Sequence, residues 1–146
     1  MEALIQENLI YFDVDVKNKV EAIEFLASKM YAAGRIKNEE AYVSAVLERE
    51  KEFSTGVGFS VATPHAKTDN VKTATVAFAH LKNEIQWDEE EKASLIFLLA
   101  IPDKDRGDRH LQILASISRK LVHEEFRELI AKAKTPKEIL KLIGEV

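Results

Sequence analysis

The chain has 146 residues, of which 46% are hydrophobic and 32% charged, so we predict one globular domain over residues 1–146. Its net charge of −4, with Lys and Arg spread among acidic residues, excludes the basic surface that nucleic acid or anionic lipid requires. The longest apolar run, Leu95 to Ile101, is far short of the ~20 residues that span a bilayer, which excludes direct membrane insertion. Because the sequence shows no secretory signal and no cysteine, we expect a cytoplasmic protein.

Three elements are predicted in the first third of the chain. The segment LIYFDVDV alternates apolar and polar residues, as a half-buried strand does. Two helices follow, each opened by an asparagine cap. The first runs from Asn18 to an exit at Gly34, and the second runs from Asn38 to near Glu50. The strand is expected to place four apolar side chains on one face: Ile10, Phe12, Val14 and Val16.

The middle of the chain predicts three strands. The segment VGFSVAT, which follows Gly56, predicts a single strand that ends just before Pro64, because proline lacks the N–H that a sheet needs. The segments TATVAFAHL and SLIFLLAIP are nearly continuous apolar runs of strand length. Such runs are typical of strands that are buried on both faces, so both should lie in the centre of the sheet.

Helices are predicted for the C-terminal part. After the loop DKDRGD, an Asp108 cap should open a helix with His110 in its first turn. Two shorter helices follow, and Thr135 and Pro136 open the last of them. The predicted fold is therefore α/β, a single-domain mixed β-sheet flanked by α-helices on both faces.

Two kinds of site are excluded by spacing. Gly56 and Gly58 are spaced as in a phosphate-binding loop, but Val61 stands where a third glycine is required and no Walker motif is present. The glycines are better explained by a turn and a close backbone approach. The segment HEEFR at His123 lacks the second histidine of a zinc-protease motif, and there is no cysteine, so no metal site is predicted.

Ser54, Thr55 and His65 are the remaining candidates for chemistry. The two hydroxyls lack a nucleophile-elbow sequence and are interpreted as turn residues. His65 follows Pro64, which restrains the backbone and directs the imidazole from the end of a strand. The residues alone leave two interpretations of His65 equally open: a reactive imidazole, or a histidine whose hydrogen bonds are satisfied by its neighbours.

The run from Glu50 through VGFSVATPHA resembles the active-site signature of the mannitol/fructose class (type 2) of enzyme IIA, in the bacterial phosphoenolpyruvate-dependent sugar phosphotransferase system. This class includes the nitrogen-regulatory members. The resemblance extends to LERE before the run and to WDEEEKASLIFLLAIP and RHLQILASISRKL after it. One departure is Thr63, where the family usually has an aliphatic residue.

The resemblance implies a phosphocarrier that uses His65. In this family the histidine accepts a phosphoryl group from phospho-HPr and passes it to a cysteine of a IIB domain or protein of a sugar permease. In this chain the tele nitrogen of His65 is the candidate acceptor atom. The family pattern also assigns Arg49, whose planar guanidinium suits phosphate oxygens, and His110. The scheme needs no cofactor. Partners should dock over His65, at a surface that includes Val57 and Phe59.

Two other functions are considered beside uptake of fructose, mannitol or a related sugar. A regulatory, nitrogen-type enzyme IIA would keep His65 but would act by binding proteins according to its phosphorylation state. A hydrolase would use His65 and His110 as base and acid, and would release phosphate from a phosphoester without carrier proteins. Sugar selectivity is expected in the permease and not in this chain.

Overall fold

The computed structural model describes residues 5–104 and 109–143, with the side chains of residues 109–111, 113 and 114 left out. A 3-10 turn at Glu7–Leu9 precedes six strands and five helices. The strands are β1 (Ile10–Val14), β2 (Gly56–Gly58), β3 (Val61–Ala62), β4 (His65–Thr68), β5 (Thr75–Gln86) and β6 (Lys92–Pro102). The helices are α1 (Lys19–Ala32), α2 (Glu39–Glu52), α3 (Arg109–Leu121), α4 (Glu124–Lys132) and α5 (Pro136–Ile143).

All six strands form one mixed sheet in the order β1-β5-β6-β3-β2, and β4 also pairs with β6. Strands β1 and β5 are parallel, β5 and β6 are antiparallel, and β3 and β4 both run parallel to β6. One hydrophobic cluster packs under α1 and α2, and a second packs under α3, α4 and α5. The α/β fold with helices on both faces is therefore confirmed, and so is the central place of β5 and β6.

Strand β1 changes face halfway along its length. Ile10 belongs to the cluster under α3–α5, whereas Val14 belongs to the cluster under α1 and α2. The pairing with β5 shifts register between Tyr11 and Val14, and Asp13 lies there with a φ of 52°. The prediction that four alternate apolar residues share one face is therefore wrong, because a bulge with a left-handed residue inverts the alternation.

Both asparagine caps are confirmed. Asn18 Oδ1 accepts a hydrogen bond from the Glu21 N–H at 2.9 Å, and Asn38 Oδ1 accepts one from the Ala41 N–H at 3.0 Å. Gly34 follows α1 with a φ of 75°, a conformation that glycine adopts without strain. Helix α2 continues to Glu52, so the residues on either side of Glu50 are helical.

The segment VGFSVAT is a hairpin and not the predicted single strand. Strands β2 and β3 are antiparallel, and Phe59 and Ser60 form the turn between them with φ values of 59° and 65°. Left-handed values at both central residues are those of a tight type I′ turn, which matches the twist of the flanking strands. The sequence has no Asn-Gly or Asp-Gly pair here, so the usual signal for such a turn is missing.

Tyr42 connects α2 to the central strand β6 by a hydrogen bond. Its hydroxyl donates a 2.8 Å hydrogen bond to the carbonyl of Leu99, the β6 residue that pairs with His65. The side chain is fully buried, and this burial raises the pKa of Tyr42 above its ordinary value.

We expect Tyr42→Phe to lower the free energy of unfolding by about 1 kcal/mol, because one buried hydrogen bond is lost while the ring still fills its site. Urea unfolding measures the change. Tyr31→Phe removes a hydroxyl from an exposed ring and should leave the midpoint unchanged. Equal midpoints for wild type and Tyr42→Phe would show that the hydrogen bond to Leu99 does not contribute to stability.

Candidate functional site

A solvent-open cleft of about 450 Å³ lies between the C-terminal half of α2 and the first residues of β4. Two of the three predicted site residues, His65 and Arg49, line it. The charged residues around them have both signs, so the cleft is not a uniformly basic site. Its lining residues are Ala45, Glu48, Arg49, Glu52, His65, Ala66 and Lys67.

His65 opens a strand of its own. Strand β3 ends before Pro64, but the chain then pairs again, and His65 lies beside Leu99 in the parallel ladder with β6. The Pro64 carbonyl accepts a 3.0 Å hydrogen bond from the Leu99 N–H. His65 therefore does lie at a strand end, but at the beginning of β4 and not at the end of the predicted strand. The half-buried side chain starts a short strand that pairs with β6.

The His65 ring is oriented by its own backbone. Its Nδ1 lies 3.0 Å from the carbonyl oxygen of Thr63. Because a carbonyl oxygen only accepts hydrogen bonds, Nδ1 is the ring nitrogen that carries the hydrogen in this contact. In the neutral ring the lone pair is then on Nε2, which makes Nε2 the nucleophilic atom. Thr63 itself is buried, so its replacement of an aliphatic residue has not brought it to the surface.

Arg49 lies in the last turn of α2, where a cation is favoured by the helix dipole. Its Nη1 donates a 2.7 Å hydrogen bond to the carbonyl of Phe53, the residue that caps the helix. A guanidinium has five N–H donors, and this contact uses one. The planar group therefore keeps the capacity to bind two oxygens of an anion in the cleft.

His110, the third predicted site residue, lies in the first turn of α3. Its side chain and the expected Asp108 cap are outside the described part of the structure. The assignment of His110 therefore stays a prediction.

Gly58 and Gly56 have the predicted roles in a turn and in a close backbone approach. Gly58 has a φ of 87° beside the hairpin turn. A Cβ atom at Gly56 would lie 3.1 Å from Trp87 Cδ1 and 3.1 Å from Asp88 Oδ2, so a larger residue would require these side chains to shift. Val57 and Phe59 beside them are 44% and 63% exposed, and their role in docking stays a prediction.

Asp88 anchors the start of this hairpin. Its carboxylate accepts hydrogen bonds from the Ser54 hydroxyl at 2.5 Å and from the N–H groups of Glu90 and Glu91 at 2.8 and 2.7 Å. These contacts, with Ser54 as the largest, hold the pKa of the Asp88 carboxyl below its ordinary value. Ser54 is thus a turn hydroxyl, as predicted, and it also accepts a hydrogen bond from the Gly56 N–H.

The lowered pKa of Asp88 makes a contribution to stability that depends on pH. This contribution is complete above the pKa of an unfolded aspartate, about 3.9, and disappears as the pH falls through the lower folded-state pKa. We therefore expect Asp88→Asn to be less stable than wild type at neutral pH, and the difference to shrink below about pH 4. Urea unfolding at several pH values tests this, with the exposed Asp15→Asn as the control. A difference that stays constant with pH would contradict it.

Comparison with solved structures identifies the class of protein that has this fold. The chain superimposes on nitrogen regulatory protein IIA-Ntr from Neisseria meningitidis with a TM-score of 0.86, at 25% identity and with 96% of each chain covered. It superimposes on enzyme IIAMTL, in a complex with phosphorylated enzyme IIBMTL from Escherichia coli, with a TM-score of 0.82 at 26% identity, covering 98% of this chain and 100% of the other. The fold is that of the enzyme IIA proteins.

Residues 3–146 match the family described as phosphoenolpyruvate-dependent sugar phosphotransferase system, EIIA 2, and the chain belongs to this family. It is 41% identical over 140 residues to the PTS system fructose-specific EIIA component of Haloferax volcanii, which covers 94% of this chain and 90% of the relative. It is 32% identical to the 2-O-alpha-mannosyl-D-glycerate-specific EIIABC component of Escherichia coli, of whose length it spans 22%. The resemblance seen in the sequence is therefore confirmed.

Within the described residues, no helix is long and apolar enough to cross a bilayer. The same part of the chain contains no group of three or more His, Cys, Asp or Glu side chains placed to hold a metal ion.

Proposed function

We propose that this chain, as one EIIA domain over residues 1–146, carries a phosphoryl group on His65 between phospho-HPr and a cysteine of a IIB partner. The observation that carries the proposal is the 3.0 Å contact between His65 Nδ1 and the Thr63 carbonyl, in a cleft that Arg49 also lines. That contact leaves the lone pair of a neutral ring on Nε2. The nucleophile is thus defined before any partner binds.

The first transfer forms one bond and breaks one bond. The Nε2 lone pair of His65 attacks the phosphorus of phospho-HPr, and the P–N bond to the donor histidine breaks with its electron pair returning to the donor nitrogen. In the second transfer, a thiolate of the IIB partner attacks the same phosphorus and the P–Nε2 bond breaks. Neither step is a redox reaction. The phosphoryl group arrives already activated, so the scheme uses no cofactor.

Arg49 supplies charge to the transferred group in this scheme. Phosphoryl transfer requires in-line positioning and stabilisation of the charge on the equatorial oxygens. The guanidinium of Arg49 lines the cleft that His65 enters, and its fork geometry matches two phosphate oxygens. His110 is proposed as a further group that contacts the phosphoryl oxygens, because it lies in the first turn of α3 and a helix N-terminus favours an anion.

The partners and the sugar are proposed from the relatives. The Haloferax volcanii relative is a fructose-specific EIIA component, and the Escherichia coli enzyme IIAMTL was solved with phosphorylated enzyme IIBMTL. We therefore propose a fructose-type IIB as the first acceptor to test, followed by a mannitol-type IIB. The exposed Val57 and Phe59 give the hairpin an apolar surface for these partners.

Incubation of the chain with phosphoenolpyruvate, enzyme I and HPr tests the proposal. We expect the intact mass to increase by one phosphoryl group, and the group to be acid-labile and to map to His65. Addition of a IIB protein should then remove it, whereas a buffer control should not. An unchanged mass would refute the proposal, and steady release of phosphate from a phosphoester without carrier proteins would favour the hydrolase.

A regulatory role is the second candidate, because the chain is similar over 96% of its length to nitrogen regulatory protein IIA-Ntr. A regulatory protein would also accept the phosphoryl group on His65, but it would keep it when fructose-type and mannitol-type IIB proteins are added. It would instead bind a different protein in only one phosphorylation state. Transfer to either IIB protein favours the transport role.

A further inference from the structure

We propose that Glu50, which lies next to Arg49 in the last turn of α2, is a positioning residue for His65. The inference deepens the proposed function and rests on the role of His65 in it. Glu50 is 7% exposed, and its carboxylate does not line the cleft. It acts through the backbone that holds the imidazole and not through the phosphoryl group.

The Glu50 carboxylate is surrounded by donors. Its Oε1 accepts a hydrogen bond from the Thr55 hydroxyl. Its Oε2 accepts from the Thr55 N–H at 3.4 Å and forms an ion pair with Lys19 Nζ at 3.4 Å. Two of the three contacts therefore fix the same residue, Thr55, by its side chain and by its backbone at once.

From Thr55 the hydrogen bonds continue to the imidazole. The Thr55 carbonyl accepts a 3.0 Å hydrogen bond from the Thr63 N–H, and the Thr63 carbonyl accepts the His65 Nδ1–H at 3.0 Å. Thr55 and Thr63 are 5% and 6% exposed, so water has little access to replace these contacts. The position of the Thr63 carbonyl, which selects the ring tautomer, thus depends on Glu50.

Helix stability does not explain the ion pair. Lys19 is the first residue of α1, and Glu50 lies in the last turn of α2, so each charge stands at the helix end where the dipole disfavours it. Lys19 also lies over the Trp87 ring, with Nζ 5.5 Å from its centroid. The pair joins the start of α1 and the end of α2 to the backbone that leads into the cleft, and this fits a positioning role.

The consequence for chemistry concerns the ring of His65. With Glu50 in place, the Thr63 carbonyl stays where it accepts Nδ1–H, and Nε2 keeps the lone pair. Without it, the Thr55 and Thr63 backbone is held by fewer contacts, and the ring can rotate or change tautomer. Arg49 and the residues that line the cleft are not altered, so partner docking should be preserved while the transfer step slows.

The experiment uses Glu50→Gln in the full chain and measures two quantities. Long-range proton–nitrogen NMR spectra of the His65 ring should change from one defined Nδ1–H tautomer to a mixture of tautomers. The rate of transfer from phospho-HPr should fall about 10-fold with little change in KM, because even a ~1 Å misplacement of a reacting atom can slow a reaction by up to about 100-fold.

Two matched variants at Thr55 distinguish a positioning role from a general loss of structure. Thr55→Val removes the hydroxyl that contacts Glu50 and should reproduce the tautomer mixture, whereas Thr55→Ser keeps the hydroxyl and should retain the wild-type ring signals. The double variant Glu50→Gln with Thr55→Val should transfer no more slowly than either single variant, because both substitutions interrupt the same contact. If Glu50→Gln does not fold, the comparison of Thr55→Val with Thr55→Ser tests the inference.

Two controls complete the design. Ile139→Val lowers stability from the opposite face of the sheet, and Glu24→Gln removes an exposed charge from α1. Neither should change the ring spectra or the transfer rate. Wild-type ring spectra in both Glu50→Gln and Thr55→Val would overturn the inference. Failure of wild type to accept the phosphoryl group would overturn the proposed function instead, and the ring spectra would still report on Glu50.

Discussion

His65→Ala is expected to lose phosphorylation by phospho-HPr completely. Nε2 of His65 is the atom proposed to form the bond to phosphorus, and removal of a covalent nucleophile costs rate factors above about 10⁴. Intact-mass measurement after incubation with phosphoenolpyruvate, enzyme I and HPr should show the unmodified mass for the variant and one phosphoryl group for wild type.

Two other histidines provide matched controls for that result. His80 lies on β5 and His123 lies just before α4, and neither lines the cleft. His80→Ala and His123→Ala should be phosphorylated at the wild-type rate. Urea unfolding should show that His65→Ala is folded, since the side chain is only half-buried. Full retention of the label in folded His65→Ala would remove His65 from the mechanism.

Arg49→Lys is expected to slow phosphoryl transfer by about 10- to 100-fold while the fold remains. Lysine keeps the positive charge but loses the planar fork that binds two oxygens of the transferred group. The single hydrogen bond from Arg49 to the Phe53 carbonyl is at an exposed helix end, so its loss should have little effect on stability. Single-turnover kinetics with phospho-HPr measures the change.

The exposed Arg119→Lys, near the end of α3, makes the same chemical exchange away from the cleft and should transfer at the wild-type rate. Arg49→Ala should be slower than Arg49→Lys, because it loses the charge as well as the geometry. If Arg49→Lys transfers as fast as wild type, Arg49 does not bind the reacting group, and its role is to cap α2.

The helices and the central strands could be predicted because their signals are local. Asn18 and Asn38 cap helices by contacts within three residues, and the apolar runs of β5 and β6 are long enough to require burial on both faces. The Phe59–Ser60 turn and the Asp13 bulge could not be predicted. Both depend on left-handed residues that carry side chains, and the surrounding sheet imposes these conformations.

The candidate site could be predicted in part. The residues alone left His65 undecided, and it was the resemblance that added Arg49, which the structure brings to the same cleft. The small residues near His65 in sequence, Ala62 and Ala66, are both buried in the core under α1 and α2. The link from Glu50 to the Thr63 carbonyl was missed, because it passes through the hydrogen bond between Thr55 and Thr63, which become neighbours only when the hairpin folds.

The contact between the His65 ring and the Thr63 carbonyl spans two residues of one chain segment, and that segment is held on β6. The orientation of the nucleophile is therefore set by this chain's own backbone. A carrier with this arrangement needs no rearrangement between loading and unloading. Its turnover should be governed by how often donor and acceptor encounter one shared surface, and the two partners should compete for that surface.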